Sequence, residues 1–417
     1  MPAPVILLIG TVDTKSDEVA YLRDCVERSG GRALVMDVGV LGRGTVMADL
    51  PNTEVAAAAG VTLADVTASG DENTAMTLMA QGASRLAARL HAQGRIDGLL
   101  ALGGTMGTDL ALDVANALPL GVPKVLLSTI AYSHLIPPER LPPDLIMRLW
   151  AGGLYGLNRL CRTALAQAAG AVVGACLAAD EPPQARPVIG MTSLGSSALT
   201  YMKALKAPLE ARGYELAVFH TTGMGGRAFE DLAARGAFAV VMDFSLQELV
   251  NDMYGSCVTS GPDRLRGAGR AGTPQIVAPG ATDMVDYPAW GSPPAACAGA
   301  AAAHAHNRLI ASQCIAPPMR REVAREIGRR LADAQGPTAL LLPLHGVEGW
   351  DREGGPLHDA EGLAALVDEL PRALSPETRL VMLTAHINDD DFAKAALAVL
   401  DDWVRQGLVP PGLRESA

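Results

Sequence analysis

No run in the 417 residues approaches the roughly 20 apolar residues of a membrane span, since the alanine-rich stretch 295–303 is short and weakly hydrophobic. The opening MPAPVILLIG has an apolar run with no basic flank, so it reads as a first strand and not as a signal peptide. Six cysteines (Cys25, Cys161, Cys176, Cys257, Cys297, Cys314) include no CxxC pair, which argues against a disulfide framework or a zinc site and leaves them as reduced core residues. Positive charge is also short. The net charge is −11 with a pI near 5.2, so a nucleic-acid role would need a local basic face. The nearest candidate, Arg320, Arg321, Arg325, Arg329 and Arg330, is interleaved with Glu322 and Glu326 as on a solvated helix. The expectation is a cytoplasmic protein with neither nucleic acid nor membrane as partner.

Hydrophobic residues make up 49% of the chain and charged ones 19%, enough apolar surface to fold throughout. Length favours two domains. Val5–Ile9 is a continuous apolar run ending at Gly10, as expected of a strand buried on both faces of a parallel sheet. Ser16, Asp17 and Glu18 open a helix whose Val19, Leu22 and Val26 share a face. Further strands are expected at 33–37, 96–102 and 124–129, with helices near 71–92, 107–117 and 158–168. This is a βαβ layout. The turn-rich Asp180–Pro187 separates it from a second series, with strands at 188–192, 215–220, 237–243, 275–278, 339–344 and 380–385. The expected fold class is α/β, two Rossmann-like domains over 1–182 and 187–417, each a mainly parallel sheet flanked by helices.

Ligands of open parallel sheets bind beyond the carboxyl ends of the strands. There Gly10-Thr-Val-Asp-Thr-Lys15 brings backbone amides, the hydroxyls of Thr11 and Thr14 and an ammonium to a helix start, where phosphate is favoured; a locally bonded turn around Asp13 is the equal alternative. Gly103-Gly104-Thr105-Met106-Gly107-Thr108 offers a second glycine-rich approach to a ligand. Asp37, ahead of Gly39, suits a ribose, a magnesium ion or a turn cap. The G-x-G-x-x-G fingerprint is absent, which disfavours a nicotinamide cofactor. In the second half Gly223-Met-Gly-Gly-Arg227 opens a helix, and Arg227 suits a carboxylate or phosphate. His345 and His386 each follow a strand and suit proton transfer, or a simple hydrogen-bonded turn. Asp283, Asp286, His304 and His306 suggest a metal only weakly, because the alanine-rich surroundings of the two histidines lean helical.

In order along the chain, GTVDTK at 10–15, GGTMGT at 103–108, LPLGVPKVLLST at 118–129, GLNR at 156–159, FHTTGMGGRAFE at 219–230, the SGPDRLRGAGRAGTPQIVAPGATDMVDY run at 260–287, PLHGVEGWDREGGPL at 343–357 and HINDDDFA at 386–393 resemble the Tm-one-like ATP-binding family. The resemblance implies two Rossmann-like domains, dimers, and ATP held by the first domain. Thr11, Asp13, Thr14, Lys15, Gly103, Gly104, Thr105, Gly107 and Thr108 match the family's loops; Asp37, Gly39 and Ser128 join them from the strand-edge argument. The chain departs from the family at Tyr132-Ser-His134 with the proline-rich 136–143, and after Asn307. The leading expectation is an ATP-dependent transferase or ligase acting on a small anionic metabolite. Magnesium would accompany the nucleotide, Arg227 would anchor the substrate, and His345 or His386 would move a proton. The rival is a non-catalytic, nucleotide-gated binder of a partner protein.

Overall fold

Strands Val5–Gly10 (β1), Arg32–Asp37 (β2), Gly98–Gly103 (β3), Lys124–Ser128 (β4) and Leu145–Leu149 (β5) form one parallel sheet in the order β2-β1-β3-β4-β5. They belong to a computed structural model that describes residues 2–42, 44–178, 186–297 and 303–413, with the side chains of 196–199 outside the description. The chain separates into two compact units, Met1–Pro182 and Pro183–Ala417. Most of the turn-rich break before Pro187 lies outside the described residues.

Period-two alternation gives the first sheet two buried faces. Leu7, Ile9, Met36, Leu99, Ala101 and Leu126 pack beneath one helical layer, and Ile6, Leu8, Val35, Leu100, Leu102 and Leu127 beneath the other. Each of these side chains larger than alanine contributes about 1.5–3 kcal/mol relative to exposure. Registers Gly10↔Asp37 and Gly103↔Ser128 bring the strand ends level, so their loops leave at one edge. β5 was not expected from the sequence. It is a half-exposed edge strand with no continuous buried run to announce it. Helix Arg159–Leu177 is long and apolar enough to cross a membrane by length and composition, which the sequence reading overlooked. Its Cys161, Ala164, Leu165, Ala168, Val172 and Val173 are buried in the first unit's own core.

The second unit has a six-stranded parallel sheet, built from Val188–Ser193 (β6), Glu215–His220 (β7), Val240–Asp243 (β8) and Gln275–Val277 (β9), with two strands late in the chain. Between these come Met284–Pro288 (β10), Ala303–Ala305 (β11) and Ile310–Cys314 (β12), which form a separate antiparallel sheet in the order β10-β12-β11. Thr338–Pro343 (β13) and Arg379–Leu383 (β14) complete the large sheet, whose order is β14-β13-β9-β8-β6-β7. The antiparallel sheet corrects the helical leaning expected around His304: that residue lies in β11, opposite Ser312. Alanine composition is overridden there by pairing with a central strand.

Candidate functional site

In the first unit the loop after β1 is fastened by Asp37 at the end of β2. One oxygen, Oδ1, accepts from the Val12 amide at 3.0 Å and the Gly39 amide at 2.8 Å. Burial raises the Asp37 carboxyl above its ordinary range, the two amides pull it back, and Asp13 adds to the rise. Asp13 itself reaches across to accept from the Leu41 amide at 2.7 Å. A Cβ on Gly39 would stand 2.6 Å from that carboxylate, so glycine is what lets the two loops close on each other. Asp13 and Asp37 therefore shape the loop pair.

Three groups of this loop remain available. The Thr11 and Thr14 hydroxyls pair at 2.8 Å. Lys15 sits at a break in helix Val12–Arg28 (φ −132°, ψ 27°), its Nζ only 3.4 Å from the Thr14 carbonyl oxygen. Facing them is the start of helix Thr105–Ala117, whose N-cap Gly104 supplies no side-chain cap. The first amides of any helix lack intrahelical acceptors and carry the positive end of its dipole. Gly103 is glycine for packing, since a Cβ there would lie 2.5 Å from the Gly107 backbone. At Gly104 a Cβ meets nothing nearer than Thr129 Oγ1 at 3.8 Å, so that position has no packing reason to stay bare.

These groups line one cavity of about 850 Å³, which takes in Thr11, Asp13, Thr14, Lys15, Gly39 and the loop 103–107. Three residues expected at the site stand behind this lining. Asp37 acts through Val12 and Gly39 as described. Thr108 and Ser128, both buried, join their hydroxyls at 2.7 Å and so tie the β3 loop to the β4 loop, with Ser128 Oγ also accepting from the Ile130 amide. Sequence reasoning missed the opposite wall. Val66, Met76, Met79 and Leu110 make it apolar, with Asp71 and Glu72 at the start of helix Glu72–Ala92. The helical spacing of Met76 and Met79 was legible, but not the face they would present.

The second unit treats its glycine-rich turn differently. The Gly223 and Gly226 amides both donate to Glu248 Oε1, and a Cβ on Gly226 would fall 1.7 Å from Glu248 Oε2. A protein carboxylate thus occupies the amides at this helix start. Glu248 is held in turn by the fully buried Arg264, which also bonds Asp243 and Glu230. Burial pushes the Glu248 carboxyl up to about 7 although Arg264 and the two amides oppose it.

Arg227 and the two histidines are not brought together. Arg227 follows β7, at one margin of the sheet, while His345 and His386 follow β13 and β14 at the other. Between β13 and β7 stand β9, β8 and β6, so at about 4.8 Å per strand those ends are roughly 19 Å apart. His386 is fully buried. Its Nδ1 accepts from the Asn388 amide at 3.0 Å, which leaves Nε2 to donate to Asp351 Oδ1 at 2.9 Å. Both nitrogens are thus engaged within the protein, tying the β14 loop to Asp351. His345 is exposed at the mouth of a second cavity, about 710 Å³, with Arg320, Asp351, Arg352 and His358. Among the described residues no group of three or more His, Cys, Asp or Glu side chains is arranged to hold a metal ion.

Two parallel-sheet units, the first with a ligand-sized cavity at its carboxyl edge, define an α/β protein of two Rossmann-like domains. The chain belongs to the Uncharacterised protein family (UPF0261), matching its N-terminal domain over residues 4–181 and its C-terminal domain over 186–404. A family protein of Brucella melitensis is 53% identical over 410 residues, covering 98% of each chain. One from Rhizobium meliloti is 34% identical over 399 residues, covering 95% of this chain and 98% of its own. The ToMV resistance protein Tm-1(GCR237) of Solanum lycopersicum is 27% identical over 94% of this chain, which spans 55% of that protein. Among solved structures, a putative UDP-N-acetylglucosamine 2-epimerase from Listeria monocytogenes aligns over 99% of this chain and 100% of its own at 11% identity. Its TM-score is 0.22, which supports no conclusion about this chain.

Proposed function

We propose that the first unit binds ATP, with the polyphosphate between Lys15 and the open start of helix Thr105–Ala117 and the base against Val66, Met76 and Met79. The observation that carries this reading is the bareness of Gly104 on a cavity-facing, uncapped helix start, where the fold itself has room for a side chain. The donor set fits the ligand. Hydroxyls, an ammonium and helix amides converge where anions are stabilised, in a cavity within the few hundred to about 1,000 Å³ usual for small-molecule sites. Magnesium belongs to this proposal as the nucleotide's counter-ion. So does the dimer that the family resemblance implies.

A transfer reaction run by Arg227, His345 and His386 on one substrate loses its support, because catalytic groups must lie within hydrogen-bond reach of the same molecule. That separation favours the second reading, a nucleotide-gated protein whose ATP-bound form presents a surface to a partner. Titration calorimetry of the full chain with ATP–Mg2+, ADP, AMP and NAD tests the first point. Binding should weaken stepwise as phosphates are removed, and NAD binding as tightly as ATP would sink the reading. Incubation with ATP, magnesium and a panel of carboxylic acids separates the other two. Release of ADP, AMP or phosphate that depends on one acid would restore an enzyme.

A further inference from the structure

The carboxyl edge of the second unit's sheet carries a row of buried polar groups that the chain itself leaves unsatisfied. Asp283 is fully buried, and neither of its carboxylate oxygens has a hydrogen-bond partner on any other residue. Glu348 is 1% exposed and has only Oε2 engaged, by the Trp350 amide at 2.7 Å, while Oε1 has no partner. Gln247, fully buried at the start of the short helix Gln247–Met253 that follows a third loop, has neither its amide oxygen nor its nitrogen bonded. These loops follow β9, β13 and β8, which are neighbours in the sheet. The loops also touch. The Leu246 amide donates to the Gly280 carbonyl at 2.8 Å, and the Ala281 amide to the Val347 carbonyl at 3.0 Å. Gln247 and Glu348 therefore flank the loop of Asp283 from its two sides.

Leaving a buried acceptor unmade costs about 1–3 kcal/mol, and more for a charged one, so three such side chains on neighbouring segments call for a partner from outside the chain. The groups act on one another. Asp283 feels Arg320, Asp351 and Asp359, and Glu348 feels Asp283, Asp351 and Arg320. Arg320 is committed to Asp359 at 3.0 Å and to the Ile315 carbonyl, and Asp351 to His386 and the Val347 amide. Four carboxyl groups thus surround one guanidinium, and the excess is negative. Burial raises both Asp283 and Glu348 above the ordinary carboxyl range, and the nearby Asp283 raises Glu348 further.

We propose that this edge binds a small molecule through an ammonium group, its N–H donors taken by Asp283 and Glu348 with the Gln247 amide oxygen beside them. A metal ion is the poorer occupant, since the described residues include no cluster of three or more ligating side chains. An ammonium supplies both the charge and the directed donors that the orphaned oxygens require.

The test is thermal unfolding of the full chain titrated with ethanolammonium chloride, against tetramethylammonium chloride at equal ionic strength as a cation without N–H donors. The expected result is a saturable rise in the unfolding midpoint with ethanolammonium alone. Its apparent affinity should be tighter at pH 8 than at pH 6, because burial raises the Asp283 carboxyl and more of it is ionised at the higher pH. Asp283→Asn and, separately, Glu348→Gln should abolish the rise while leaving the response to ATP intact, which keeps this site distinct from the first unit's. The proposal is overturned if neither cation shifts the midpoint, if both shift it equally, if MgCl2 or MnCl2 does so in place of ethanolammonium, or if both variants respond as the wild type does.

Discussion

Gly103 and Gly104 are adjacent, yet adding one methyl group to each should have opposite consequences. At Gly103 the new Cβ would stand 2.5–2.7 Å from backbone atoms of Gly107 and Thr108, which cannot swing aside as a side chain would. Gly103→Ala should therefore cost about 1–3 kcal/mol by overpacking. In a unit of this size that lowers the melting midpoint by roughly 2–10 °C. At Gly104 the backbone is in an ordinary extended conformation (φ −75°, ψ −154°), and the nearest atom to a Cβ is Thr129 Oγ1 at 3.8 Å. Gly104→Ala should leave stability within about 0.5 kcal/mol, with a gain from the stiffer unfolded chain as readily as a loss. The same methyl projects at the position proposed for the phosphates and should weaken ATP at least about tenfold, a cost of roughly 1.4 kcal/mol. Circular-dichroism melting and calorimetric titration on both variants give the four numbers. A folded Gly104→Ala protein with wild-type ATP affinity would refute the placement of the phosphates.

Lys15→Ala should cost about 1.5–3 kcal/mol of ATP binding, the range of a hydrogen bond to a charged group, and nothing for adenosine; equal losses for both ligands would remove Lys15 from the phosphates. Because Lys15 Nζ has only a long contact to the Thr14 carbonyl, the melting temperature should stay put. Glu248→Ala strips the cap from helix Met224–Ala234 and leaves Arg264 with two carboxylate partners, so stability should fall by about 3–5 kcal/mol with ATP affinity unchanged; a neutral melt would refute the role given to that network. For Asp283 the folded pKa is about 7, above the ordinary 3.8, so the folded state holds the proton more tightly. Stability from this group is full below 3.8 and is lost as pH rises towards 7. Asp283→Asn should then gain on the wild type in urea melts at pH 8 and not at pH 4; a pH-independent difference would contradict it.

Much of the first unit was legible because its signals are local. Val5–Ile9 and 125–127 are apolar runs whose burial on both faces needs no knowledge of distant residues, and the turns at Gly10 and Gly103 announce themselves by composition. The division of labour inside those turns was not. Whether Asp13 faces a ligand or reaches Leu41, and whether Thr108 lines a cavity or pairs with Ser128, depends on contacts across 28 and 20 positions. The second unit shows the limit more sharply. His345 and His386 share a sheet edge as parallel pairing requires, but strand order decides that Arg227 is at the far side, and order is not written in any one segment. The most chemically loaded residues there, Asp283 and Glu348, went unread or underweighted because an acidic residue after a strand looks like any surface turn until its burial is known.

The carboxylate of Glu248, seated on the amides of Gly223 and Gly226, has a further consequence. A phosphate arriving at that turn would have to evict a side chain already pinned by a buried guanidinium, and dissolved salt cannot loosen a pairing that water does not reach. One half of the molecule leaves a helix start without a side-chain cap and the other has corked its own. Glycine-rich turns of similar composition can thus be left bare or bolted shut within a single chain.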